Sequence, residues 1–82
     1  MNQELIDNKN KMTKLTIFIK ESLKEQNITH ICSFYMAGLY FICKIEKSPK
    51  EYMECYFYFD EELDKLKEKF LYHLERNKKW LQ

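Results

Sequence analysis

The sequence predicts an α+β fold of order α-β-β-β-α: a three-stranded antiparallel meander with two amphipathic helices packed on one of its faces. Three observations carry this expectation. Apolar residues recur at helical spacing at both ends of the chain. Between Phe34 and Phe59 the aromatics segregate strand by strand, with Phe34, Phe41, Phe57 and Phe59 on the same side of a two-residue alternation as Cys32, Cys43 and Cys55, and Tyr35, Tyr40, Tyr52, Tyr56 and Tyr58 on the other. Two turn signals, Ala37-Gly38 and Lys47-Ser48-Pro49-Lys50-Glu51, divide that middle stretch.

The first helix follows from Met12, Leu15, Phe18, Ile19 and Leu23, which share one helical face, with Lys14, Lys20, Glu21, Lys24 and Glu25 elsewhere. Leu5 and Ile6 continue the stripe upstream, whereas Asp7 to Lys11 is polar with modest helix propensity. Starts near residue 3 and near residue 11 are both open, and residues 1–10 are either a frayed or an extended beginning of this helix. Asn27 is placed to cap its C-terminal end, because Asn tolerates the left-handed conformation that ends helices.

Three strands are expected over roughly Thr29 to Met36, Leu39 to Lys47 and Tyr52 to Phe59, where Ile and the aromatics suit a pleated surface. With Ala37-Gly38 as a two-residue loop, Phe34 faces Phe41, Cys32 faces Cys43 and Tyr35 faces Tyr40. The five-residue second loop sets Phe41 against Phe57, Cys43 against Cys55, Lys44 against Glu54 and Tyr40 against Tyr58. In both registers like meets like, and Lys44 with Glu54 adds an opposite-charge pair.

Asp60 is the expected N-cap of the second helix, with Glu61, Glu62 and Asp64 placing negative charge in its first turn. Leu63, Leu66, Phe70, Leu74 and Leu81 form the stripe to be buried, and Arg76, Lys78 and Lys79 lie near the C-terminal end. Two amphipathic helices each need an apolar partner, and only the Phe and Cys face of the sheet can serve both. The Tyr face is left open.

Length and composition bound the function. The 82 residues form one small domain, residues 1–82, of a size that buries only about 60% of its unfolded surface. A hydrophobic content of 45%, with 16% aromatic, is that of a folded chain. A net charge of +1, from 14 basic and 13 acidic residues, is far from the basic excess of a dedicated nucleic-acid binder. No apolar run approaches a membrane span and MNQELIDNKNK lacks the apolar stretch of a signal peptide, so a cytoplasmic location and no membrane partner are expected.

No catalytic, cofactor-binding or metal constellation can be assembled. The cysteines are spaced eleven and twelve residues apart with no close pair, unlike zinc-binding patterns, and free Cys is among the most buried residue types. They are expected as core thiols, without a disulfide. His30 and His73 have no nucleophile or carboxylate that the sequence can set beside them. With Gly38 as the one glycine, phosphate-cradling loops are excluded. No cofactor, small-molecule substrate or enzymatic activity is expected.

The order α-β-β-β-α resembles the double-stranded RNA-binding domain in topology and size over most of the chain. That resemblance implies RNA or DNA binding through a basic cluster at the start of the second helix and through the loop between the first two strands. Here those positions hold Asp60, Glu61, Glu62, Leu63 and Asp64, and the two-residue turn Ala37-Gly38. Nucleic acid is therefore the alternative partner.

The principal expectation is a non-enzymatic protein-binding module. Its contact surface is the sheet face of Tyr35, Tyr40, Ile42, Tyr56 and Tyr58, with Ile31 extending the apolar character, because contiguous exposed apolar surface marks interaction sites and Tyr is enriched in binding hot spots. The partner is another protein or a second copy of the chain, giving a homodimer. By size and architecture such a module suits a phage- or mobile-element-type inhibitor that blocks a larger enzyme or nucleoprotein, such as an anti-CRISPR or other antidefence protein.

Overall fold

A computed structural model of the chain describes residues 3–82. It consists of α1 (Gln3–Glu25), β1 (Ile31–Ala37), β2 (Tyr40–Ser48), β3 (Glu51–Tyr58) and α2 (Leu63–Leu81). The strands form one antiparallel sheet in the order β1-β2-β3, so the expected α-β-β-β-α meander is the architecture of the protein. No helix among the described residues is long and apolar enough to cross a membrane.

Of the two possible starts, α1 takes the upstream one; Ile6 there is exposed, and the Leu5 side chain lies outside the described residues. The helix ends as Asn27 predicts. Asn27 has φ +59, its N–H bonds the Lys24 carbonyl at 3.1 Å, and the Ile28 N–H bonds the Leu23 carbonyl at 2.9 Å. This paired set of reversed bonds is a Schellman motif, and its usual apolar clasp is supplied by Leu23 and Ile28, both buried.

The β2–β3 register is the expected one, with Phe41 opposite Phe57, Cys43 opposite Cys55, Lys44 opposite Glu54 and Tyr40 opposite Tyr58. The β1–β2 register differs by two residues. Ala37 is the last residue of β1 and pairs with Tyr40, so the turn is Gly38-Leu39 rather than Ala37-Gly38. Gly38 has φ +62 and Leu39 has no positive φ, the sign pattern of a type II′ turn, which wants glycine first. Phe34 consequently faces Cys43, Cys32 faces Ile45, and Tyr35 faces Ile42. A shift of two leaves every side chain on its expected face.

One core lies between sheet and helices. Leu15, Ile19 and Leu23 of α1 and Leu66, Phe70, Leu74 and Leu81 of α2 meet Phe41, Cys43, Ile45, Met53, Cys55 and Phe57 from one sheet face. Phe18 and Phe70 join the helices edge to face, with ring centroids 6.4 Å apart. The start of α2 corrects another expectation: Glu62, not Asp60, is the N-cap, and it makes no side-chain capping bond. A turn closed by the Glu61 N–H on the Tyr58 carbonyl at 3.3 Å carries the chain past Asp60 first. Lys11 of α1 fastens this connection by donating to the Phe59 and Glu61 carbonyls.

The far end of α2 is tied to the α1–β1 connection and to β2. A carbonyl only accepts, so His30 donates from Nε2 to Leu81 O at 2.6 Å; Lys47 Nζ donates to Trp80 O at 2.9 Å and Gln82 Nε2 to Gln26 O at 3.1 Å. His30 and Lys47 thereby supply last-turn carbonyls that a helix leaves unpaired, while Gln82 ties the helix end back to the Gln26 carbonyl.

Two substitutions separate backbone from core. Asn27→Val, which forces a β-branched residue into positive φ, is expected to cost about 1–2 kcal/mol, whereas Asn27→Gly costs nothing. Phe57→Ala empties a fully buried site and is expected to cost about 3–5 kcal/mol. Urea unfolding of the three variants reads all of these values.

Candidate functional site

The sheet face away from the helices is built by the alternation of the strands, with the Gly38-Leu39 turn and, in place of the expected five-residue loop, a Pro49-Lys50 turn with an irregularity between Glu46 and Ser48 fixing which residues stand beside each other. Tyr35, Ile42 and Tyr56 form one row across the three strands, and Ala37, Tyr40 and Tyr58 form the next. The five residues singled out from the sequence therefore lie together. Their alignment is not the expected one, because Tyr35 stands beside Ile42 and not beside Tyr40.

Tyr35, Tyr56 and Tyr58 are 42%, 43% and 36% exposed, and Tyr40 is half-buried between its neighbours. Tyr40 packs edge to face on Tyr58, centroids 4.6 Å apart, and on Tyr56 at 5.6 Å. Each such pair contributes about 0.5–1.5 kcal/mol beyond its buried area.

Ile42 corrects the sequence expectation. It occupies the centre of the face but is only 2% exposed, so it cannot meet a partner directly. The cause is the reach of Tyr35. Its hydroxyl donates to Glu54 Oε2 at 2.6 Å, a bond from β1 to β3 that crosses above the central strand. With Tyr40 and Tyr56 flanking, Ile42 becomes the floor beneath the rings.

The neighbouring charges are also rearranged. Lys44 stands opposite Glu54 in register, yet its ammonium pairs with Glu46 at 3.8 Å and sits 4.5 Å from the centroid of the Tyr52 ring. Glu54 instead serves Tyr35. The surface that results has a cluster of aromatic rings bordered on one side by Lys44, Glu46 and Glu54.

Acceptance by the Glu54 carboxylate favours the protonated phenol and, with further help from burial and from the Glu54 charge, pushes the Tyr35 hydroxyl up from 10.0 to about 12. Tyr58 is raised in the same direction, chiefly through its hydrogen bond with Tyr40.

The other constellations are tied into the fold. Cys43 and Cys55 are buried, while Cys32 is half-buried with its Sγ 3.8 Å from Cys43 Sγ. All three thiols are free. Because Cys32 stands opposite Ile45, that sulfur contact is diagonal. The Cys43 thiol bonded to Cys32 lowers the Cys32 thiol, with Lys20 assisting, and Cys43 is raised in turn by the same bond and by burial. Burial pushes Cys55 to about 12. No group of three or more potential ligands among the described residues is placed to hold a metal ion. His73 is pushed down by burial, with Lys69 and Arg76 adding like charge.

One feature escaped the sequence pattern. Met12, Ile17, Met36, Phe41 and Phe59 line an open apolar groove of about 760 Å³ between α1 and the exit of β1. Met36 lies on the core side of the sheet, as Phe34 does, yet is 66% exposed. Its parity was visible, but its lack of cover depends on where α1 crosses the strands.

The raised Tyr35 hydroxyl sets a pH dependence. The folded protein keeps a proton that the unfolded chain loses near pH 10, so the stabilisation is complete below pH 10.0 and is lost as pH rises toward about 12. Tyr35→Phe is expected to reduce the fall of the urea midpoint over that window; an identical slope in both proteins would contradict the Glu54 bond. Comparison of the chain with protein-family models, curated proteins and solved structures returns no match.

Proposed function

We propose that the chain is a non-enzymatic binding module that captures another protein on its open sheet face. Tyr35, Tyr56 and Tyr58 would make the contacts, with Tyr40 and Ile42 holding their rings in place. The supporting observation is a contiguous group of aromatic rings, each a third or more exposed, on a face that neither helix covers. The rings are held by edge-to-face packing and the Glu54 bond, so little conformational freedom is lost on binding. The small size suits an inhibitor of a larger enzyme or nucleoprotein, of the phage or mobile-element kind that includes anti-CRISPR and other antidefence proteins; that step rests on size and architecture.

Nucleic-acid binding has less support. Lys11, Lys47 and Lys69 spend their ammonium groups on backbone carbonyls, Lys44 is flanked by Glu46 and Tyr52, and the start of α2 is acidic. Binding driven by phosphate contacts would weaken steeply with salt.

Capture from the native host with the immobilised chain, followed by mass spectrometry, tests the proposal against its alternative. The double variant Tyr56→Ala/Tyr58→Ala is expected to lose the captured protein while sacrificing about 1–3 kcal/mol of stability. Undiminished capture by the folded variant would contradict the proposed face, and retention of nucleic acid that is released by salt would favour the alternative.

A further inference from the structure

The two edges of the sheet are treated differently. Along the pair that closes a two-residue hairpin the strands exchange hydrogen bonds, and bonded pairs then alternate with unbonded ones. With Ala37 and Tyr40 closing the first turn, Cys32, Phe34 and Met36 direct their backbone N–H and C=O away from β2. Carrying the same alternation across β2 leaves Glu54, Tyr56 and Tyr58 as the outward residues of β3.

The β3 edge is occupied by the chain itself. The Tyr58 carbonyl accepts from the Glu61 N–H, and the Tyr56 carbonyl accepts from Lys69. Charged side chains and covering turns of this sort are how proteins protect sheet edges. The β1 edge has none of these. Its seven residues, Ile-Cys-Ser-Phe-Tyr-Met-Ala, include no charge and no proline. Among the described residues no side chain or turn bonds the outward groups of Cys32, Phe34 or Met36. Ile31 and Met36, near its two ends, are each 66% exposed.

We infer that β1 pairs antiparallel with β1 of a second copy, making a two-fold symmetric dimer with one continuous six-stranded sheet. Centring the two-fold axis on Phe34 uses the whole strand and brings outward residues together: Phe34 meets Phe34, and Cys32 meets Met36. Between them Ser33 stands opposite Tyr35 and Ile31 opposite Ala37. Away from the axis each pair sets a larger side chain against a smaller one, and no charge faces another across the seam, so the strand is its own complement. One cost is visible, since Lys20 lies over the Phe34 ring at 5.9 Å and the two ammonium groups approach across the axis. Of the proposed contact residues only Tyr35 lies on β1, beside the seam, while Tyr40, Ile42, Tyr56 and Tyr58 lie clear of it on β2 and β3. In the dimer the two tyrosine faces become one surface.

Sedimentation equilibrium of the full chain, in reductant so that Cys32 cannot crosslink, tests this over a concentration series reaching the millimolar range. The expected mass is twice that of the monomer at the upper end, falling to the monomer on dilution. Met36→Pro removes an outward N–H that β2 does not use, and Met36→Lys places a charge at the seam from an exposed position. Both are expected to raise the dissociation constant about tenfold or more, with unchanged far-UV circular dichroism, while Tyr58→Ala leaves it unaltered. A native chain that stays monomeric throughout would overturn the dimer, as would a dissociation constant that neither folded Met36 variant moves.

Discussion

Everything in this molecule depends on the sheet having one apolar face for two helices. Phe41, Cys43, Ile45, Met53, Cys55 and Phe57 occupy that face on β2 and β3, and Leu15 and Ile19 of α1 and Leu66 and Phe70 of α2 are driven onto them. A small chain has little surface to hide, so both helices must compete for the same side. Neither helix is left to cover the other side. The open tyrosine face is thus a consequence of how the core is filled, and its chemistry is what a sheet can carry in water without being covered.

That face solves its exposure internally up to a point. Tyrosine keeps an apolar ring against its neighbours and a hydroxyl for water or a carboxylate. The Tyr35 hydroxyl on Glu54 draws one ring across the central strand, Tyr40 wedges between Tyr56 and Tyr58, and Ile42 is sealed beneath. Outer parts of Tyr35, Tyr56 and Tyr58 remain uncovered. The lysines that might have made the surface basic serve the fold instead: Lys11 secures the entry to α2, Lys47 its exit, and Lys69 the β3 edge. The proposal of a protein partner over a phosphate backbone rests on this arrangement.

The parts of this arrangement that follow from period and turn chemistry were legible in the sequence. Alternation placed each Phe and Tyr on its correct face, helical spacing identified Leu15, Ile19, Leu66 and Phe70, and the positive-φ role of Asn27 was implied by its residue type. The first turn was misplaced by one residue, and its register by two, because a single glycine can occupy either central position of a hairpin turn, and both choices preserve the faces. Its position as the first central residue is the type II′ preference of glycine. The burial of Ile42 was not legible, since it depends on the direction of one side chain, Tyr35, reaching a carboxylate two strands away. The capping of α2 at Glu62 instead of Asp60 depends on the Lys11 anchor from a helix distant in sequence.

The central claim is that adjacent residues of β3 live in opposite environments, one face packed and the other open. Placing lysine at two consecutive positions and comparing urea unfolding tests it most directly. Tyr56→Lys should leave stability within about 1 kcal/mol of the native chain, since a lysine stem can lie along the exposed face. Phe57→Lys should lose several kcal/mol or fail to fold, because it puts an unpaired charge into the core. Comparable losses at the two positions would mean that both faces are covered, and would contradict the account.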